Sequence, residues 1–326
     1  MLPLSQIAEV RATVDSDWRS LAADAVGGRW DIPAGVLRYW RSSAAHVFVV
    51  PPGCDERGVL YARFAPAGSP AGARLHRGAQ LHARLSDAGA SVAPLARSRA
   101  DEALELIPTP LGEMVACVVR RADGEELDVD ELDAGAAAAW GTALARFHHA
   151  AGPVEHADSC QPSDAFARLV SSPDQDLADA GHVLNALLES RAPGQLVMGH
   201  GDFELDNLRW SQGQATCFDL DECGVMPVAA DVASAVRDLL GKNPGTPEHP
   251  ELVEAFLAGY GQSAGRAVSL GELQLHRAAL AAQQVLEART VLDSEDSGWL
   301  RELNGSLASH YAEQRDIVLG AARVLA

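Results

Sequence analysis

The chain is poor in basic residues: 26 Lys and Arg stand against 45 Asp and Glu, a formal net charge of −19. Nucleic-acid binding needs a basic face, so that class of partner is not expected. The acid surplus serves solubility first and is also compatible with a cationic ligand. No run is long and apolar enough for a membrane span, so no membrane partner is expected. The first residues, "MLPLSQIAEVRATVDSDW", lack the basic-then-apolar layout of a signal peptide. Metal-type cysteine pairs are missing too. Cys54, Cys117, Cys160, Cys217 and Cys223 are scattered and odd in number, which reads as reduced thiols in a cytoplasmic protein. Neither Cys217 nor Cys223 has an evident activating neighbour, so both are expected to be inert. No solenoid-type repeat is visible.

What is present is ordinary globular composition, 47% hydrophobic and 22% charged over 326 residues, enough for one large domain or two smaller ones. The stretch to about Gly28 reads as one or two amphipathic helices. "HVFVV" and "GVLYARF" are β-rich runs separated by turn chemistry, hence an antiparallel hairpin. "GARLHRGAQLHARLSDAG" follows with Leu75, Leu81 and Leu85 at roughly helical spacing and Gly89 as a stop. "ALELIPT" and "EMVACVVRR" add two strands. From "RADGEELDVDEL" onward the pattern is mostly helical. "DELDAGAAAAWGTALARFHHAAG" sets Trp140, Leu144 and Phe147 on one face, and "VEAFLAGYG" and "LHRAALAAQQVLEARTVL" are further clear helices. Two short strands, "QLVMG" and "ATCFDL", lie between. The expected organisation is α+β: residues 1–120 as N-terminal helices plus a β-rich lobe, 121–326 as a helical lobe, with a hinge near 121–126. Trp40, Trp140, Trp210 and Trp299 are expected as packing anchors. His148 and His149 end a helix, where cations favour the dipole.

One stretch concentrates chemistry. In "VMGHGDFELDNLRW", His200-x-Asp202 is followed by Asn207, the spacing of a protein-kinase catalytic loop with Gly in place of Arg. A dozen residues on, an apolar run ends in Asp219. A transferred phosphoryl group carries negative charge that divalent ions neutralise, and such ions prefer hard oxygen ligands. Asn207 and Asp219 suit that need. A second carboxylate must orient the attacking hydroxyl and accept its proton, and Asp202 has that place. His200 is expected to brace the loop from inside.

"HGDFELDN" followed by "CFDLDECGVMPVAADVAS" resembles the aminoglycoside phosphotransferase and choline kinase group of small-molecule kinases. Asp231 matches a later acid that supports the catalytic loop in that family. "GTALARFHHA" matches a helix before the loop, and "RRADGEEL" resembles the family's hinge. The resemblance runs roughly from Val36 to Leu240. It implies a protein kinase-like bilobal fold, with a small antiparallel-sheet N-lobe carrying one main helix and a larger helical C-lobe. Three departures stand in the first lobe. Arg63 replaces the usual strand Lys, similar to choline kinases, and a planar fork holds phosphate differently from a point charge. "GARLHRGAQLHARL" contains no acid to pair with that cation, Gln80 being the nearest substitute. No Gly-rich loop covers the phosphates; "WRSSAAHVF" stands there, with Ser42 and Ser43 as candidates to meet an anion through their amides.

The expectation is therefore a phosphotransferase using ATP (or GTP) and Mg, in a monomer or homodimer. It would move the γ-phosphoryl group to a hydroxyl of a small molecule, most simply an amine-bearing one such as an aminoglycoside or other antibiotic. Glu204, Asp206, Asp221 and Glu222 are the candidate substrate contacts, and "KNPGTPEHPEL" a candidate wall of the acceptor pocket. The alternatives left open are a metabolic kinase of an amino alcohol, sugar or homoserine-like compound, and a nucleotide-binding pseudokinase. A two-metal phosphoesterase would need a second His and Asp cluster that the sequence does not show.

Overall fold

The computed structural model describes residues 2–154, 163–191, 194–292 and 300–326. Cys160 and Trp299 lie outside them. Internal contacts divide the chain into two compact units, Met1–Glu126 with Asn207–Cys223, and Leu127–Asp206 with Gly224–Ala326.

The first unit opens with helices α1 (Leu4–Ala12) and α2 (Leu21–Gly27), followed by strands β1 (Arg38–Ser42), β2 (His46–Val50) and β3 (Leu60–Pro66). Helix α3 (Pro70–Asp87) comes next, then β4 (Leu95–Ala96), β5 (Glu105–Thr109) and β6 (Gly112–Arg120). The strands form one antiparallel sheet in the order β1-β2-β3-β6, with β4 and β5 both paired to the far edge of β6. The two-residue alternation sorts the core. Leu60, Ala62 and Phe64 of β3 and Met114, Ala116 and Val118 of β6 join Trp30, Phe48 and Ile107 in one cluster. Ala65, Val115 and Cys117 face the other way, onto Ala71, Leu75 and Ala79 of α3. Because β6 is covered on both faces, its apolar run is continuous rather than alternating. Arg63 sits between Tyr61 and Ala65 in register, opposite Val47 and Cys117, and so on the α3 face of the sheet.

Helix α3 starts where Ser69 accepts from the Gly72 amide and Pro70 fills the first turn. Past its end, Gly89 takes a left-handed φ of +71°. The segment Asn207–Cys223 forms a hairpin of β8 (Leu208–Ser211) and β9 (Gln214–Cys217). Its turn, Gln212 and Gly213, has positive φ at both residues, the backbone a two-residue hairpin needs. Glu125 and Trp210 exchange two backbone hydrogen bonds (2.9 and 2.8 Å), and Ala93 donates to the Cys217 carbonyl at 2.9 Å. These bonds seat the hairpin in the first unit.

The second unit holds α4 (Ala134–Ala151), α5 (Ser163–Leu169), α6 (Gln175–Glu189) and strand β7 (Leu196–Gly199). After the hairpin come β10 (Gly224–Pro227), α7 (Val228–Ala235), α8 (Arg237–Leu240), α9 (Pro250–Ala264), α10 (Leu270–Leu292) and α11 (Leu300–Leu325). Helix α4 buries Trp140, Leu144 and Phe147, and Trp140 meets Phe256 of α9 edge-on at 5.1 Å. A second core joins α5, α6, α10 and α11 through Phe166, Leu184, Val285 and Val318. Strand β7 pairs antiparallel with β10.

Two sequence expectations are corrected. "ATCFDL" does not stay a strand to its end: β9 stops at Cys217, because Asp219 has a φ of +64° that no strand accommodates. Trp40 is not a packing anchor. It stands on edge strand β1 with 61% of its surface exposed, whereas Trp140 and Trp210 are buried. Among the described residues, no helix is long and apolar enough to cross a membrane.

Phe48 is fully buried, stacked on Phe64 at 5.5 Å with Tyr39 at its edge. Phe48→Ala should cost about 3–5 kcal/mol in chemical unfolding. A loss below about 1 kcal/mol would mean that this sheet face is not the packed core described.

Candidate active site

In the second unit, the chain leaves β7 at Gly199 and turns through His200, Gly201, Asp202 and Phe203. Their backbone is held at several points by buried groups. Asp231, in the first turn of α7 and fully buried, accepts from the His200 amide at 2.9 Å and the Gly201 amide at 2.7 Å. The Ser234 hydroxyl donates to the Gly201 carbonyl at 2.7 Å, and the Trp140 indole to the Phe203 carbonyl at 2.9 Å. Gly199 lets this close in, since a Cβ there would lie 2.8 Å from the Asp231 carboxylate and 2.7 Å from the Met226 sulfur. The His200 ring is fully buried between Phe147 and Phe203, and its Nδ1 accepts from the Asp202 amide at 3.3 Å.

His148 is corrected from a helix-end cation to a buried hydrogen-bonding group. Its Nε2 lies 2.7 Å from Asp231 Oδ2 and its Nδ1 3.0 Å from the Tyr260 hydroxyl. With Nε2–H facing the carboxylate, Nδ1 accepts from Tyr260, whose oxygen in turn accepts from Arg266 at 3.1 Å. Burial alone would push the Asp231 carboxyl up. The His148 hydrogen bond, with His200 and the Gly201 amide, outweighs it and holds the group below the usual carboxylate range.

Asp202 itself is part-exposed. Its Oδ1 accepts from Arg237 of α8 at 3.0 Å, and the other arm of that guanidinium pairs with Glu204. Glu204 is pushed up to about 7 by burial and by the Asp202 charge, with Arg237 pulling the other way and Asp238 and Asp206 adding to the rise. Asp206 is exposed.

The first unit gathers the other candidates. Asn207 and Phe218 flank the open end of the β8–β9 hairpin, where the Phe218 amide donates to the Asn207 carbonyl at 3.1 Å. Asp219 follows in left-handed backbone, which costs a non-glycine residue about 1 kcal/mol. Its Oδ1 accepts from Arg63 Nη2 at 2.7 Å and its Oδ2 from Arg41 Nη2 at 3.2 Å. The same Arg63 nitrogen donates to Asp221 Oδ2 at 2.6 Å. Asp221 is buried, and burial and Asp219 push it up to about 6 against the pull of Arg63. Glu222 is exposed, its nearest cation Arg74 at 4.0 Å. The Ser42 hydroxyl sits 2.9 Å from His46 Nδ1, and the Ser43 amide donates to the Ala45 carbonyl at 3.1 Å in the tight β1–β2 turn. Gln80, on the exposed side of α3, is not the partner of Arg63.

Asn207 and Asp219 are hard oxygen donors of the kind a divalent cation takes. No group of three or more His, Cys, Asp or Glu suited to a metal occurs among the described residues. The donor set therefore fits a cation that arrives with further oxygens, as one carried by phosphates does. Arg237, Arg41 and Tyr260 were not legible as site residues; nothing in their spacing marks the carboxylates that the two arginines meet or the His148 ring that Tyr260 meets.

A family model described as the phosphotransferase enzyme family, APH, matches residues 45–270. No curated protein sequence matches significantly. Among solved structures, the amicoumacin kinase hAmiN, in complex with AMP-PNP, Ca2+ and Ami, is similar at a TM-score of 0.72. It is 16% identical, over 95% of this chain and 96% of that one. A microcompartment-associated aminopropanol kinase is 19% identical at a TM-score of 0.63, over 93% and 96%. The spectinomycin phosphotransferase APH(9)-Ia, in complex with ADP and its antibiotic, is 11% identical at 0.62, over 91% and 94%. At these identities the likeness speaks to the fold: protein kinase-like, with an antiparallel-sheet N-lobe and a helical C-lobe.

Asp231→Asn should cost about 3–5 kcal/mol in urea unfolding, because it removes a buried ionised acceptor from several donors. The folded Asp231 titrates below its unfolded value, so its stabilisation is present above about pH 4 and lost as pH falls through the folded value. The variant should therefore lose less stability than the wild type on further acidification. A cost under about 1 kcal/mol, with an unchanged acid limb, would contradict the loop-holding role.

Proposed function

The chain belongs to the phosphotransferase enzyme family and is a small-molecule kinase, and from that premise we propose that it moves the γ-phosphoryl group of ATP, with magnesium, to a hydroxyl of an amine-bearing acceptor. The observation that carries the reading is the held loop: a part-exposed Asp202 carboxylate on a backbone fastened by Asp231, Ser234 and Trp140. A general base must keep its oxygen aimed at one proton, and fastening the backbone on both sides of Asp202 does that.

In this reading Asp202 accepts the acceptor's hydroxyl proton while Arg237 fixes its other rotamers out of reach. Asn207 and Asp219 hold the magnesium, which when bound neutralises phosphate charge. Arg63 steadies the nucleotide phosphates, and the Ser42–Ser43 turn between β1 and β2 is the candidate for a further anion contact. His200 and Asp231 support the loop. The nucleotides in the solved relatives named above support the nucleotide half of this reading.

The acceptor half rests on charge. Asp202, Glu204, Asp206 and Asp238 stand against two cations, Arg237 and, beside Asp238, Arg277. That surplus of carboxylate favours an acceptor carrying its own ammonium group. An amino alcohol satisfies the same chemistry as an aminoglycoside, and the likeness to an aminopropanol kinase keeps a metabolic acceptor as the second reading.

Asp202→Asn should lower kcat by about a hundredfold to ten-thousandfold while nucleotide affinity stays within about threefold. Full turnover in that variant would remove Asp202 from the chemistry. Glu204 gains its charge as pH rises through about 7. The KM of a cationic acceptor should fall over that range. Glu204→Gln should abolish the dependence and raise KM by about tenfold, the worth of one charge-assisted contact. A pH profile identical in the two proteins would move the amine elsewhere.

A further inference from the structure

A cation on the third strand of a sheet, turned toward a covering helix, is buried charge and needs a carboxylate. Arg63 has 12% of its side chain exposed and faces α3, yet α3 carries no acid between Gly72 and Leu85. The helix is basic instead, and what it meets is the loop after β9. Arg77 Nε donates to the Cys223 carbonyl at 3.0 Å, and Arg74 lies 4.0 Å from Glu222. Gly78 allows backbone against backbone, since a Cβ there would stand 2.6 Å from the Leu220 carbonyl oxygen. The arrangement runs cationic strand, anionic loop, cationic helix.

The loop offers Arg63 two carboxylates that differ in kind. Asp221 has 4% of its side chain exposed and accepts from Arg63, with Arg74 near enough to act on its charge. Asp219 has 20% exposed, is shared with Arg41, and stands in left-handed backbone. One is enclosed; the other is more exposed and accepts from Arg63 on one oxygen and from Arg41 on the other.

We infer that Asp221 is a positioning residue that replaces the missing helix acid: it is the standing counter-ion of Arg63 and so leaves Asp219 available to a divalent cation. The inference rests on the functional reading above, in which Asp219 holds the metal. Without Asp221, Arg63 keeps its buried charge and Asp219 becomes its remaining carboxylate. A guanidinium bound there competes directly with the metal for the same oxygen. Removing an acid that touches no metal thus weakens metal binding, by engaging the acid that does.

The test is calorimetric titration of ADP into the full-length protein at a series of Mg2+ concentrations. Asp221→Asn should raise the Mg2+ needed for half-maximal enhancement of ADP binding by about tenfold to a hundredfold, as loss of an outer partner does. Metal-free ADP binding should stay within about threefold, and Asp221→Glu should keep the wild-type Mg2+ requirement within the same margin. The decisive variant also removes the competing cation. Arg63→Gln with Asp221→Asn restores a Mg2+ requirement close to that of Arg63→Gln alone, and it leaves no unpaired buried charge to prevent folding. An Asp221→Asn protein with the wild-type Mg2+ requirement overturns the inference and leaves the functional reading standing. Should Asp221→Asn not fold, a double variant that binds ADP but needs as much extra Mg2+ as a protein lacking Asp219 also overturns it. Wild-type ADP binding indifferent to Mg2+ overturns the functional reading and this inference together.

Discussion

The second unit depends on one buried carboxylate. Asp231 is fully enclosed, and an enclosed charge is tolerated only when donors surround it. Here the donors are two consecutive amides of the loop and the His148 ring. The need to satisfy Asp231 and the need to shape the loop are therefore one constraint. Gly199 has no side chain because the carboxylate passes where one would be. His148 is buried at the end of α4 because Asp231 lies across from it, and Tyr260 of α9 completes the ring's second hydrogen bond. Asp202, the residue this frame presents, is left part-exposed.

The first unit solves a related problem differently. Arg63 is a buried cation on a sheet, and its partners come from the loop after β9, not from the helix that covers it. A helix that brings arginines and a glycine to that loop, where an acid was expected, changes which residue balances the strand cation. It leaves the sheet, its order and its two-sided core unaltered.

Local patterns were readable where local forces decide the structure. The β2–β3 hairpin, α3 with its glycine stop and the apolar face of α4 follow from alternation, helical spacing and turn residues, and they stand in the structure. The spacing of His200, Asp202 and Asn207 was legible because a loop of that length is read along the chain. What escaped is set across it. His148 meets an acid 83 positions away and Arg63 one 158 positions away, and no periodicity announces either. The end of β9 was misjudged because Phe218, Asp219 and Leu220 read as a strand's last turn of apolar and acid. The backbone of Asp219 is decided by its bonds to Arg63 and Arg41 instead. The short strand β10 was invisible for the opposite reason, since four residues paired only with β7 carry too little pattern.

The central claim is that the loop fastened by Asp231 directs a phosphoryl group to an acceptor oxygen and not to water. The most direct measurement follows the label of γ-phosphate-labelled ATP, incubated with the protein, magnesium and a panel of amine-bearing alcohols. The account predicts label on an acceptor hydroxyl, as a phosphate ester located by NMR, with equal release of ADP. Label recovered as inorganic phosphate at the same rate with and without every acceptor would contradict it.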